Sequence, residues 1–147
     1  MKKFKYRLEA LLKVKEHLER ERQKDHGEAV RKVMRQRDQL TDIEKKRLTT
    51  YDEQRDVLIG KMSVAEMLVY SRYLMKLKRD QLVGKQLLQA LDHEAEEKRM
   101  KLVEASREKK VFEKLKERQQ KKFNKEVHRL ETKEDDETAV VSFRRKE

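Results

Sequence analysis

At 147 residues the chain makes one domain at most, given the usual ~100–200 residues per domain. Charged residues form 47% of it and apolar residues only 35%, with no Trp, four Phe and four Tyr, too little apolar material for a compact globular core. Cysteine is absent, which excludes disulfides, thiolate nucleophiles and zinc–thiolate sites, and no run of ~18 apolar residues exists to span a membrane.

Proline is also absent, and glycine occurs only at Gly27, Gly60 and Gly84. Without the residues that punctuate loops, the chain reads as continuous helix. The apolar residues recur in register, which separates the sequence from equally polar disordered chains. The basic start, Lys2-Lys3-Phe4-Lys5-Tyr6-Arg7, leads into amphipathic Leu8-Glu9-Ala10-Leu11-Leu12-Lys13 with no apolar signal core, so a cytoplasmic protein is expected. A net charge of +11 predicts attraction to nucleic acid, anionic lipid or an acidic protein surface without choosing among them.

The first predicted helix covers residues 4–59. Its apolar positions step by three and four through Phe4, Leu8, Leu11, Leu18, Ala29, Val33, Leu40, Ile43, Tyr51 and Leu58. Lys15, Arg22 and Gln36 share that seam, and a one-residue slip is expected near His26-Gly27, as a coiled coil absorbs a stutter. Residues 60–63 read as a turn. Gly60 suits a left-handed helix-closing position. Ser63-Val64-Ala65-Glu66 has capping-box spacing, and Met62 and Met67 sit where a hydrophobic staple would place them.

The second predicted helix covers 64–131. Met67, Leu74, Gln81, Leu88, Ala95, Leu102, Lys109, Lys116 and Phe123 form one sevenfold series. Tyr70, Leu77, Gly84, Leu91, Lys98, Ala105, Phe112 and Gln119 form its partner. Over roughly eight heptads this is the a/d arrangement of a left-handed coiled coil. At ~1.5 Å per residue the helices would be about 80 and 100 Å long. The expected fold is therefore all-α: two long helices forming an antiparallel coiled-coil hairpin over 1–131. Pairing of two hairpins into a four-helix assembly stays open. Residues 132–147, with acidic Glu134-Asp135-Asp136-Glu137 and then Val140, Val141 and Phe143, lose the heptad and are expected to fray.

A catalytic site is not expected. His17, His26, His93 and His128 are scattered along the chain, and none has a second histidine four residues on for a helical zinc site. No glycine-rich phosphate loop exists, and carboxylates on a lone hairpin face water. Neither a cofactor nor a small-molecule substrate is implied. Three features suit binding. Tyr51, Tyr70 and Tyr73 should cluster near the turn beside Leu74, either within the coil or as a contact patch. Phe4, Tyr6, Arg7 and Leu8 should meet Phe112, Lys114, Leu115, Lys116, Arg118 and Phe123 at the opposite end, as a grip for an acidic ring or as a solvated terminal seam. Basic runs at Lys76-Leu77-Lys78-Arg79, Arg107-Glu108-Lys109-Lys110 and Lys121-Lys122 lack an aromatic stacking platform for nucleic acid.

The segment from Phe4 to Glu16, FKYRLEALLKVKE, resembles the opening of the FliJ family of the bacterial flagellar type III export apparatus. Glu108 to Arg118, EKKVFEKLKER, resembles the end of that family's second helix, and Asp136-Glu137-Thr138-Ala139 with Phe143 and Arg144 fits the family tail. The resemblance implies a non-enzymatic central stalk, similar to that of rotary ATP synthases, inserted into the hexameric export ATPase, FliI. It implies further contacts with the export gate protein FlhA and with export chaperones, at the inner-membrane face of the flagellar basal body. On that resemblance Phe4, Tyr6, Arg7, Leu8, Phe112, Lys116, Arg118 and Phe123 would enter the ATPase ring. Tyr51, Tyr70, Tyr73 and Leu74 would meet the gate. The alternative is a basic coiled-coil scaffold or nucleic-acid-binding protein with no export role.

Overall fold

The computed structural model describes residues 3–61 and 63–145. Two α-helices account for most of them: α1, Glu9–Ile59, and α2, Val64–Arg144. Both are rich in Glu, Lys, Arg and Gln, which lose little rotamer freedom in a helix, and neither contains proline. The helices pack against each other as an antiparallel hairpin. The chain divides into two compact units, Met1–Arg20 with Val103–Glu147, and Glu21–Leu102.

In the first unit the start of α1 pairs with later residues of α2 than its continuation does: Glu9 pairs with Lys116, Lys15 with Glu108, and Glu19 with Ser106 and Lys109. Tyr6, Leu12 and Ala105 are its buried apolar residues. The expected helix start at residue 4 is corrected to Glu9. Residues 3–7 alternate instead, with Phe4 and Tyr6 covered and Lys3, Lys5 and Arg7 exposed. That is the period of an extended segment. It is closed by the Glu9 N–H donating to Tyr6 O at 3.2 Å.

In the second unit Gln36 pairs with Gly84, Arg47 with Gln81, Arg37 with Asp92 and Lys32 with Glu94, again antiparallel. Ala29, Val33 and Leu77 are buried, together with the polar Gln36 and Thr50. From Tyr70 to Lys116 the covered α2 positions follow the predicted double series, with extra half-buried residues such as Glu94 beside it.

The α1 seam differs from the expected one. Its covered residues include Leu12, Lys15, Glu19, Arg22, His26, Ala29, Val33, Gln36, Leu40, Ile43, Arg47, Thr50, Gln54 and Val57. These keep one heptad phase, so no slip at His26-Gly27 is needed. Leu11, Tyr51 and Leu58 are exposed. The seam runs through polar residues there because they find partners. Thr50 Oγ1 donates to Lys46 O at 2.7 Å, and Arg47 Nη1 donates to Gln81 Oε1 at 2.8 Å.

Between the helices, the Gly60 N–H donates to Val57 O at 3.0 Å, a tightened last turn. No glycine among the described residues has positive φ, so the left-handed closure expected at Gly60 is replaced by this bond. The capping box is formed: the Glu66 N–H donates to Ser63 Oγ at 3.3 Å and the Ser63 N–H to Glu66 Oε2 at 3.0 Å. Met62, and with it the expected staple to Met67, lies outside the described residues. The tail expected to fray from residue 132 is instead helical through Arg144. Its side chains are exposed throughout, so only local bonds hold it, such as Thr138 Oγ1 to Glu134 O at 2.7 Å.

Candidate functional site

Five of the eight residues expected to form the ring-binding end bind within the first unit. Tyr6 is buried and its hydroxyl donates to Phe112 O at 3.0 Å. Lys116 Nζ lies 2.7 Å from Glu9 Oε2 and 6.0 Å from the Tyr6 ring centre. Phe4 and Phe123 stack in a tilted pair with centroids 5.7 Å apart. The extended segment is thus tied down by a backbone-directed hydrogen bond, an aromatic pair and a cation over a ring, each worth on the order of 1 kcal/mol.

What this end offers outward is a shorter set. Arg7, Leu8 and Arg118 are exposed, and so are Leu11 and Leu115. The apolar count places Leu11 inside the seam. The signal that it lies outside is the strict heptad back from Val33 through His26 and Glu19, which reaches Leu12.

Next along the same unit is an interhelical charge cluster. Glu19 receives Lys109 Nζ and the Ser106 hydroxyl, the latter at 2.9 Å, and Lys109 also lies 3.7 Å from Glu113. The Lys109 hydrogen bond holds the Glu19 carboxyl below its ordinary value, against the opposing effect of desolvation. Reciprocally, Glu19 raises the Lys109 ammonium. A lysine on a coiled-coil seam costs stability; here it is neutralised by its partner, which fixes register between the helices.

The tyrosines near the turn do not form one aromatic cluster. Tyr70 and Leu74 are half-buried, while Tyr51 and Tyr73 are exposed. No ring pair joins the three tyrosines among the described residues; Tyr51 instead takes the Arg47 guanidinium 5.9 Å from its centroid. Arg47 is itself held by Gln81 and by Glu44 at 3.4 Å. Tyr51 and Tyr73 are therefore accessible as contact groups.

Among the described residues, no group of three or more His, Asp or Glu side chains is arranged to hold a metal ion. No helix among them is long and apolar enough to cross a membrane. The comparison that decides the family is a match of residues 4–147 to the family model described as Flagellar FliJ protein. The chain belongs to the FliJ family. Membership makes it a component of the flagellar export apparatus. No curated protein and no solved structure matched it.

Proposed function

We propose that this FliJ-family chain works without catalysis as the central stalk of the flagellar export ATPase. Its end built from residues 4–20 and 103–123 inserts into a FliI-like hexamer and promotes the ring's assembly and activity. The face with Tyr51, Tyr70, Tyr73 and Leu74 contacts an FlhA-like export gate, and the hairpin carries export chaperones. The protein works in the cytoplasm, held peripherally at the inner membrane at the basal body.

The observation that carries this reading is the division of labour at the chain-terminal end. Tyr6, Phe112, Lys116, Phe4 and Phe123 consolidate that end internally, leaving Arg7, Leu8, Leu115 and Arg118 to face a partner. A pre-ordered tip spends little entropy on docking. Its exposed guanidiniums suit an acidic lumen and would speed encounter.

The test is the ATPase rate and oligomeric state of the cognate export ATPase with and without this chain. Arg7→Glu/Arg118→Glu is the informative variant, because Lys116 is committed to Glu9 and its reversal would disturb the fold. Stimulation by wild type that the double reversal abolishes supports the stalk. An ATPase indifferent to both proteins removes it.

A further inference from the structure

On α2, residues Tyr70, Leu74, Leu77, Gln81 and Gly84 are turned toward α1. The face opposite, expected to be uniformly polar on a two-helix coil, is not. Leu68, Arg72, Met75, Arg79 and Leu82 follow one another at steps of four and three, which places them on a single face. Met75 is 65% exposed and Leu82 61%. Arg72, Met75, Lys78, Arg79, Leu82 and Lys85, with Gln81 from the α1-facing side, line a shallow hollow of about 740 Å³.

Between residues 72 and 85 the chain carries five cations, Arg72, Lys76, Lys78, Arg79 and Lys85, against the single carboxylate of Asp80. None of those five makes an ion pair among the described residues. Charges further along α2 do: Asp92 and Glu94 are taken by Arg37 and Lys32. The stripe therefore sets Leu68, Met75 and Leu82 beside Arg72 and Arg79, which make no ion pair among the described residues, with Lys76, Lys78 and Lys85 on its flanks.

The complementary surface is in the same chain. Residues 131–143 carry five carboxylates, Glu131, Glu134, Asp135, Asp136 and Glu137, against the single cation Lys133. None of the five is ion-paired among the described residues. This segment is helical, and Leu130, Glu134, Glu137 and Val141 step by four, three and four along one exposed face. Leucine, arginine, methionine, arginine, leucine on one side thus meets leucine, glutamate, glutamate, valine on the other, with charges of opposite sign.

We propose that the 68–85 face of α2 is the docking surface for the 130–143 segment of a second copy of this chain. Both segments belong to one unbroken helix, which does not meet itself, so the contact is between copies. Two basic stripes would repel each other, which excludes the symmetric stripe-to-stripe dimer. A single helix-on-helix contact is at or below the low end of the ~1,200–2,000 Å² typical of stable interfaces, so association is weak and concentration-dependent. Screening by salt weakens it further. The inference does not depend on the export reading.

Sedimentation velocity over a wide concentration range at low and at physiological salt tests it, with circular dichroism melts confirming that the variants fold. Wild type is expected to self-associate, more so at low salt. Arg72→Glu/Arg79→Glu and Glu134→Arg/Glu137→Arg should each weaken association on the order of ten-fold or more. An equimolar mixture of the two reversed proteins should restore it. Wild type that stays monomeric throughout, association that survives both reversals, or reversed chains that ignore each other would each overturn the proposal. So would an absence of self-association combined with binding of the wild type, but not of Arg72→Glu/Arg79→Glu, to phosphatidylglycerol vesicles, which would give the face to lipid.

Discussion

At Gly84 the Leu40 and Gln36 side chains of α1 press against the α2 backbone. A Cβ added there would lie 2.6 Å from Leu40 Cδ2 and 3.2 Å from Gln36 Nε2, the same nitrogen that donates to Gly84 O at 3.1 Å. A Cβ at Gly27 would meet nothing within 4 Å. Alanine in a helix interior gains ~0.8–1.0 kcal/mol over glycine, so Gly27→Ala should stabilise by about that amount. At Gly84 the same gain is opposed by overpacking, which costs typically ~1–3 kcal/mol. The Leu40 methyl is the end of a flexible side chain and can swing aside. Gln36 cannot retreat without lengthening a buried hydrogen bond worth about 1 kcal/mol. The net expectation for Gly84→Ala is a loss of about 1 kcal/mol, opposite in sign to Gly27→Ala. Urea unfolding followed by circular dichroism reads both. In a double-mutant cycle, adding Leu40→Ala should recover part of the loss, with a coupling of ~0.5 kcal/mol or more. If Gly84→Ala stabilises as much as Gly27→Ala does, the close approach of α1 at this position is wrong.

Three further outcomes are expected. Tyr6→Phe keeps the ring under Lys116 but deletes the bond to Phe112 O, costing ~0.5–1.5 kcal/mol in denaturant unfolding; an unchanged midpoint would mean the hydroxyl faces water. Ser63→Ala removes the cap of α2 and should cost about 1 kcal/mol, with faster amide exchange at Glu66 as the local readout. Glu19→Gln should be pH-dependent. The depressed Glu19 pKa stabilises the fold above the ordinary value of 4.5 and is lost as pH falls through the folded value, while the raised Lys109 pKa contributes fully below 10.5. The stability gap between wild type and Glu19→Gln should therefore be full at neutral pH and shrink below 4.5; a gap that persists in acid would contradict the Glu19–Lys109 pairing.

The α2 seam is legible in the sequence because its leucines keep the sevenfold spacing even where Gln81, Gly84, Lys98 and Lys109 interrupt it. The α1 seam is legible at Lys15 and Arg22 and from Ala29 to Ile43. Elsewhere a search for apolar residues selects Leu11, Tyr51 and Leu58 over the covered Leu12, Thr50 and Val57. What hides the true phase is that Glu19 is satisfied by Ser106 and Lys109 across the hairpin, and Thr50 by its own backbone. Such partners are long-range or side-chain-to-backbone facts that periodicity does not carry. The alternation Phe4-Lys5-Tyr6-Arg7 is present in the sequence, but so short a run of period two is absorbed into a helical step of four. The candidate ring-binding residues emerge from the sequence as a set; which of them consolidate the tip and which face outward requires the Tyr6–Phe112 and Lys116–Glu9 contacts. The outward stripe of Leu68, Met75 and Leu82 escapes a reading by pattern because the basic run around it looks like a solvated face.

The most direct test of the stalk reading is site-specific photo-crosslinking to the cognate export ATPase, with the photoreactive group placed in turn at Leu8, Leu115, Tyr51 and Tyr73, all four exposed. The account predicts crosslinks to the ATPase from Leu8 and Leu115 and none from Tyr51 or Tyr73. Crosslinks from the two tyrosine positions alone would mean that the ring is met by the turn-bearing unit instead, and would contradict the account.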